Sequence, residues 1–126
     1  MRNEILTVFQ QMVKNLTGAE VVIGSLPPLE GYAVSFAGGS AQSIFWTLNS
    51  AQELPIQFTG KSADQQHLAA AMDAVHAALT TSKALPSYQN WQMYSIETTS
   101  APTPIGREQN KNWIFGSSFR IKFYAR

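Results

Sequence analysis

The sequence predicts an α+β domain, an antiparallel or mixed β-sheet with two amphipathic helices on one face, in the order α-β-β-β-α-β-β. Three observations carry this prediction. Two stretches repeat apolar residues at steps of three and four, as a helix with one buried side requires. Five other stretches alternate apolar and polar residues with a period of two. The strand-like stretches run in succession, three and then two, on short connections, so the strands neighbour one another and two helices cover only one face.

The first helical stripe is Ile5, Val8, Phe9, Met12, Val13 and Leu16, with Asn3 placed to cap its start and Gly18 to end it. The alternation of Tyr32, Val34 and Phe36 gives a strand, and Gly38-Gly39-Ser40 gives a turn into a second strand of Ile44, Trp46 and Leu48. Ile56 and Phe58 mark a third. The second helical stripe is Leu68, Ala71, Met72, Val75, Ala78 and Leu79; Ser62 stands before it as N-cap, Asp64 lies in its first turn, Lys83 lies near its end and Pro86 stops it. In the fourth strand Gln92, Tyr94, Ile96 and Thr98 alternate with Trp91, Met93, Ser95 and Glu97. In the fifth, Trp113, Phe115, Ser117, Phe119, Ile121 and Phe123 share one face, against Ile114, Gly116, Ser118, Arg120, Lys122 and Tyr124. Gly116 marks a bulge or bend there.

The 126 residues suit one domain spanning 1–126. Apolar residues make up 44% and charged residues 13%, about half the usual charged share, which argues against disorder. The absence of cysteine removes disulfides, thiolate metal sites and a cysteine nucleophile. Low charge leaves little repulsion between copies, a first pointer to self-association. No apolar run reaches the roughly 18 residues of a membrane span, and the opening residues lead into an amphipathic stretch, so a protein made in a reducing cytoplasm is expected.

Charge is divided unevenly along the chain. Residues 1–100 carry four Lys or Arg against seven Asp or Glu, and residues 101–126 carry five against Glu108 alone. The basic end fits a nucleic acid, another copy of the chain or an acidic partner, and equally a solvated strand.

Chemistry is sparse. Gly60-Lys61-Ser62 has the place of a phosphate loop but lacks the upstream glycine, since position 55 is Pro55. His67 and His76 lie nine residues apart on one helix, on opposite sides, and share no metal; both read as solvated, with Asp64 and Asp73 three residues before them as surface partners. The carboxylates are scattered singly. No catalytic residue, cofactor or metal ligand is therefore assigned. Trp46, Trp91 and Trp113 all fall in strands and read as core or interface packing rather than as base-stacking platforms.

Residues 99–111 join two partner strands, yet exceed an ordinary hairpin turn. Pro102 and Pro104 stiffen this segment and Ile105 is its one large apolar residue, so Pro102, Thr103, Pro104, Ile105, Gly106, Arg107 and Glu108 are the candidate partner-binding loop. Arg120 and Lys122, on the sheet face away from the helices, are candidates for a subunit contact or the wall of a ring lumen.

The run Leu54-Pro55-Ile56-Gln57-Phe58-Thr59-Gly60-Lys61-Ser62 into a helix with Met72 and Val75, then Trp91 to Thr99, Pro-Thr-Pro-Ile-Gly-Arg-Glu and Asn112 to Tyr124, resembles the small minor capsid proteins of tailed-phage and prophage head–tail gene clusters. These in turn are similar to tail terminators. The likeness covers residues 50–126 and rests on overall pattern. It implies an α+β virion assembly protein without catalytic activity, forming a homo-oligomeric ring, a hexamer in such proteins, at the head–tail junction. Its implied partners are itself, tail-tube proteins and head-connector proteins, with DNA passing the lumen and no membrane. Two other classes fit the residues: a small ligand-binding domain or enzyme with a pocket between helices and sheet, and a nucleic-acid-binding module using Arg107, Lys111, Arg120, Lys122 and Arg126.

Overall fold

The computed structural model describes residues 2–24, 30–37, 51–82, 85–88, 91–107 and 112–125. Its elements are α1 (Arg2–Thr17), β1 (Val21–Ile23), β2 (Gly31–Phe36), β3 (Ala51–Ser62), α2 (Gln65–Thr81), β4 (Trp91–Arg107) and β5 (Trp113–Ala125). This is the expected α+β order. The first strand, however, is the short Val21–Ile23, which three residues are too few to announce by alternation. The strand read at 44–48, with Trp46 and the 38–40 turn, lies outside the described residues.

The five strands form one mixed sheet in the order β1-β2-β3-β5-β4. β1 runs parallel to β2, and every other neighbouring pair is antiparallel. Both helices pack on the same face, because Phe119 of β5 meets Phe9 of α1 edge-on at 5.1 Å and stacks on His76 of α2 at 3.9 Å. Around these rings Ile5, Val13, Leu68, Met72, Val75 and Leu79 bury against Val34, Ile56, Phe58, Ile121 and Phe123. Each such side chain removed from water contributes about 1.5–3 kcal/mol, which makes this layer the principal stabiliser of the domain.

α1 ends where expected: Gly18 adopts φ +63° and its N–H bonds the Lys14 carbonyl at 2.9 Å. Its start differs. Asn3 lies within the first turn rather than before it, and its carbonyl accepts from the Thr7 hydroxyl. Leu16, the last residue of the apolar stripe, is 48% exposed, lining an open groove beside α2. At α2 the N-cap is Asp64, not Ser62: Asp64 Oδ1 accepts the His67 N–H at 3.1 Å. Ser62 is held in β3 by pairing with Trp113, so the helix begins only two residues later, and the Ser62 hydroxyl instead accepts from the Asp64 N–H. α2 closes at Thr81, with Ser82 extended; Lys83 lies outside the described residues.

The expected 99–111 loop is the largest revision. Residues Thr99–Arg107 continue β4, which pairs with β5 as far as Arg107↔Trp113. β4 has four more residues than β5, and the ladder absorbs them at four register shifts, all with the extra residue in β4. These bulges let a proline-containing edge strand follow a regular partner. The first, between Met93 and Ser95, also breaks the expected alternation: Trp91, Met93 and then Ile96 face the core. At Gly116, β5 keeps its pairing with β3, while the partner β4 shifts register on both sides of it. The glycine leaves room for Ile105, whose side chain would sit 3.3 Å from any Cβ placed there.

Candidate functional site

Among the described residues nothing covers the sheet face away from the helices, and Ile105, Arg120 and Lys122 of the candidate site lie on it. β5 presents Ser118, Arg120, Lys122 and Tyr124; β3 presents Glu53 and Gln57; β4 presents Tyr94 and Glu97. Arg120 lies 3.6 Å from Glu53 and Lys122 lies 2.8 Å from Glu97, each across one strand spacing. Glu97 Oε1 is shielded from water, and the Lys122 ammonium is what satisfies it. The hydrogen bond from Lys122 holds the Glu97 carboxyl below its ordinary value, and the same bond raises Lys122. The two cations expected to face a partner are thus matched within the molecule by the carboxylates opposite them. Sequence alone could not show this, since the pairings depend on β3 and β4 flanking β5 on either side.

Beyond the ion pairs, Tyr94 and Tyr124 stack at 4.6 Å, and both are more than two-fifths exposed. Toward the other end Ile105 lies over Gly116, 60% exposed, beside a shallow depression lined by Gln57, Thr103 and Ser118. Pro102, Thr103, Pro104 and Gly106 accompany it in β4. Arg107 places its guanidinium 4.9 Å from the Trp113 ring centre. The partner-binding candidates are therefore a bulged edge strand rather than a free loop. Glu108, and with it Lys111 and Arg126, lies outside the described residues.

Between the helices and the sheet, His76 is 6% exposed, not solvated as the spacing predicts. Its Nδ1 lies 2.7 Å from the Thr98 hydroxyl and its Nε2 lies 2.7 Å from the Ser117 hydroxyl. Ser117 donates to the Phe58 carbonyl at 3.2 Å, so it accepts from Nε2–H, and Thr98 then donates to Nδ1. Burial pushes the imidazole below its ordinary value, with Asp73 acting weakly in the opposite sense. A serine beside a histidine has the outline of a nucleophile and its base. Here the serine is buried and its proton is committed to the backbone, so the trio ties α2 to β3, β4 and β5. The clue in the sequence is that Ser117 interrupts an otherwise apolar face at the level of the helix. His67 is exposed, and Asp64 spends its carboxylate on the cap.

A groove of about 380 Å³ opens between the end of α1 and α2, lined by Leu16, Tyr32, Ala71, Val75 and Ala78. A smaller recess holding Glu20, Glu30, Lys61 and Ser62 adjoins it through Ala19, Tyr32 and His67. Burial, and secondarily the charge of Glu30, raises the Tyr32 phenol. Among the described residues no group of three or more His, Asp or Glu could hold a metal, and no helix is long and apolar enough to cross a membrane.

No protein-family model matches the chain, and no curated protein matches it. Among solved structures, the chain is similar in fold to a chain of the virion of a native gene transfer agent particle. The TM-score is 0.60 at 19% identity, over 90% of this chain and 84% of that one. At that identity the likeness is one of fold.

Proposed function

We propose that this protein is a structural component of a phage-type virion, working by fitting against copies of itself and against neighbouring virion proteins. The observation that carries the reading is the fold shared with a gene transfer agent virion chain along nearly the whole of both chains. The resemblance of residues 50–126 to small minor capsid and tail-terminator proteins narrows the role to a ring at the head–tail junction, contacting tail-tube and head-connector proteins. The character of the surfaces supports it. The open sheet face is charge-balanced by its own cross-strand pairs and carries an exposed tyrosine pair, the composition of a surface that another protein can cover at little electrostatic cost. The same pairs weigh against a nucleic-acid role, because Arg120 and Lys122 meet phosphate only after leaving their carboxylates.

Two measurements test the proposal. Proteomics of particles purified from the producing cell should recover the chain in low, fixed copy number; its absence from the particles overturns the virion role. Native mass spectrometry of the purified protein should show one oligomer of fixed size, and a monomer at high micromolar concentration overturns the ring.

The groove between α1 and α2 favours one other reading, a small-ligand domain. Thermal-shift screening of apolar and amphipathic small molecules tests it, with stabilisation that Ala78→Trp abolishes as the supporting result and no stabilisation as the opposing one.

A further inference from the structure

We infer that copies of this chain join head to tail, with the β4 flank of one against the α1–β1 flank of the next, and with Arg107 facing Glu20 and Glu30. The inference rests on the proposed ring and specifies its contact.

The first argument is level. Arg107 pairs with Trp113, and Trp113 pairs with Ser62. The Ser62 hydroxyl reaches Glu30 Oε2 at 3.4 Å, and Tyr32 N–H bonds the Glu20 carbonyl at 3.2 Å. These steps trace one line across the end of the sheet, with Arg107 at the β4 flank and, toward the β1 flank, Glu20 and Glu30 around the buried Lys61, a group of net negative charge. Neighbours placed side by side with their strands aligned therefore bring opposite charges to the same height. Four strand spacings, about 19 Å, separate the two flanks, so one molecule cannot close this contact on itself.

The second argument is what remains unspent. The ion pairs of Arg120 and Lys122 consume the basic character of β5 internally. Arg107 lies against Trp113, and among the described residues no carboxylate pairs with it. Exposed apolar side chains also lie on the elements at each flank: Ile105 on β4, and Leu16 of α1 and Ile23 of β1 on the other side. Two unlike surfaces that complement each other form the heterologous contact from which closed rings arise.

The third argument concerns the backbone. Among the described residues β4 is an edge strand, but Pro102 and Pro104 lack N–H groups and four register shifts disturb its line. Such an edge resists continuous strand pairing with a neighbour, so side chains make the contact and the sheets do not fuse.

Charge exchange tests the contact. Arg107→Glu makes both flanks acidic, and Glu20→Arg combined with Glu30→Arg makes both basic. Each variant alone should lose the oligomer, its dissociation constant weakening roughly tenfold or more. Mixing the two variants should restore an oligomer of alternating copies, and a chain carrying all three changes should assemble by itself. Glu20→Arg alone, which leaves the Glu30 contacts in place, guards against misfolding of the double variant and should weaken assembly in the same direction. Circular dichroism confirms folding throughout. If the wild type forms its fixed oligomer while Arg107→Glu assembles equally well, or the mixture fails to recover, this contact is wrong and the ring stands. If the wild type itself stays monomeric, the ring falls and this contact with it.

Discussion

His76 and Ser117, forty-one residues apart in the chain, meet at 2.7 Å beneath α2. The same imidazole reaches Thr98 on the far side and stacks on Phe119. One helical side chain thereby connects to three strands by an ordered run of protons that ends on the Phe58 carbonyl. Removing it with His76→Ala opens a cavity and leaves the Ser117 hydroxyl without its donor. The expected loss is about 2–4 kcal/mol, read from urea unfolding. A loss below about 1 kcal/mol would mean that the trio is not a structural tie.

Acid should weaken the fold through the same residue. Burial holds the folded imidazole below its ordinary value of 6.5, so the unfolded chain binds a proton first as pH falls. The stability is present above 6.5 and is lost as pH drops through the lower folded value. Thermal midpoints between pH 7.5 and 5.5, compared for wild type and His76→Gln, should fall more steeply for the wild type. Parallel slopes would count against it.

Gly60 of β3 lies directly beneath α2. A Cβ there would lie 2.8 Å from Leu68 Cδ1 and 2.9 Å from Met72 Sδ, both side chains being buried. Gly60→Ala should cost about 1–3 kcal/mol in denaturant unfolding, and shortening Met72 to Ala in the same chain should make that cost smaller. Additive effects of the two changes would show that the helix moves away without strain.

The Trp91 indole N–H donates to Glu4 Oε1 at 2.6 Å and ties the start of α1 to the start of β4. Glu4→Ala should cost about 1.5 kcal/mol and change Trp91 fluorescence, whereas Glu4→Gln, which keeps an acceptor, should cost less. Equal losses for both would point to charge rather than the hydrogen bond.

A gel shift at low salt should show no mobility change for DNA incubated with the protein, because the two cations of the open face are engaged by Glu53 and Glu97. Retarded DNA whose retardation disappears in Arg120→Ala/Lys122→Ala would overturn this assignment.

Deleting residues 102–107 is a poor probe of docking. A free loop would tolerate the cut, but these residues pair with Trp113–Gly116, and their loss would strip one side of the first part of β5. Surface substitutions such as Arg107→Glu separate contact from folding.

Periodicity alone determined most of the layer. The face of β5 that runs from Phe115 to Phe123, the buried stripe of α2 and the stop at Gly18 are all local patterns, and local patterns survive folding because each residue's side of a helix or strand follows from its spacing. Only tertiary structure decided the rest. Whether 99–107 hung free or extended β4 depended on whether the bulges could bring Pro102 and Pro104 alongside β5, a question of register with a partner. Whether His76 faced water depended on Thr98 and Ser117 arriving from two other strands to satisfy its ring. Whether Arg120 and Lys122 were available depended on which strands flanked β5. A polar residue's fate is set by partners distant in sequence, and spacing along one strand carries no information about them.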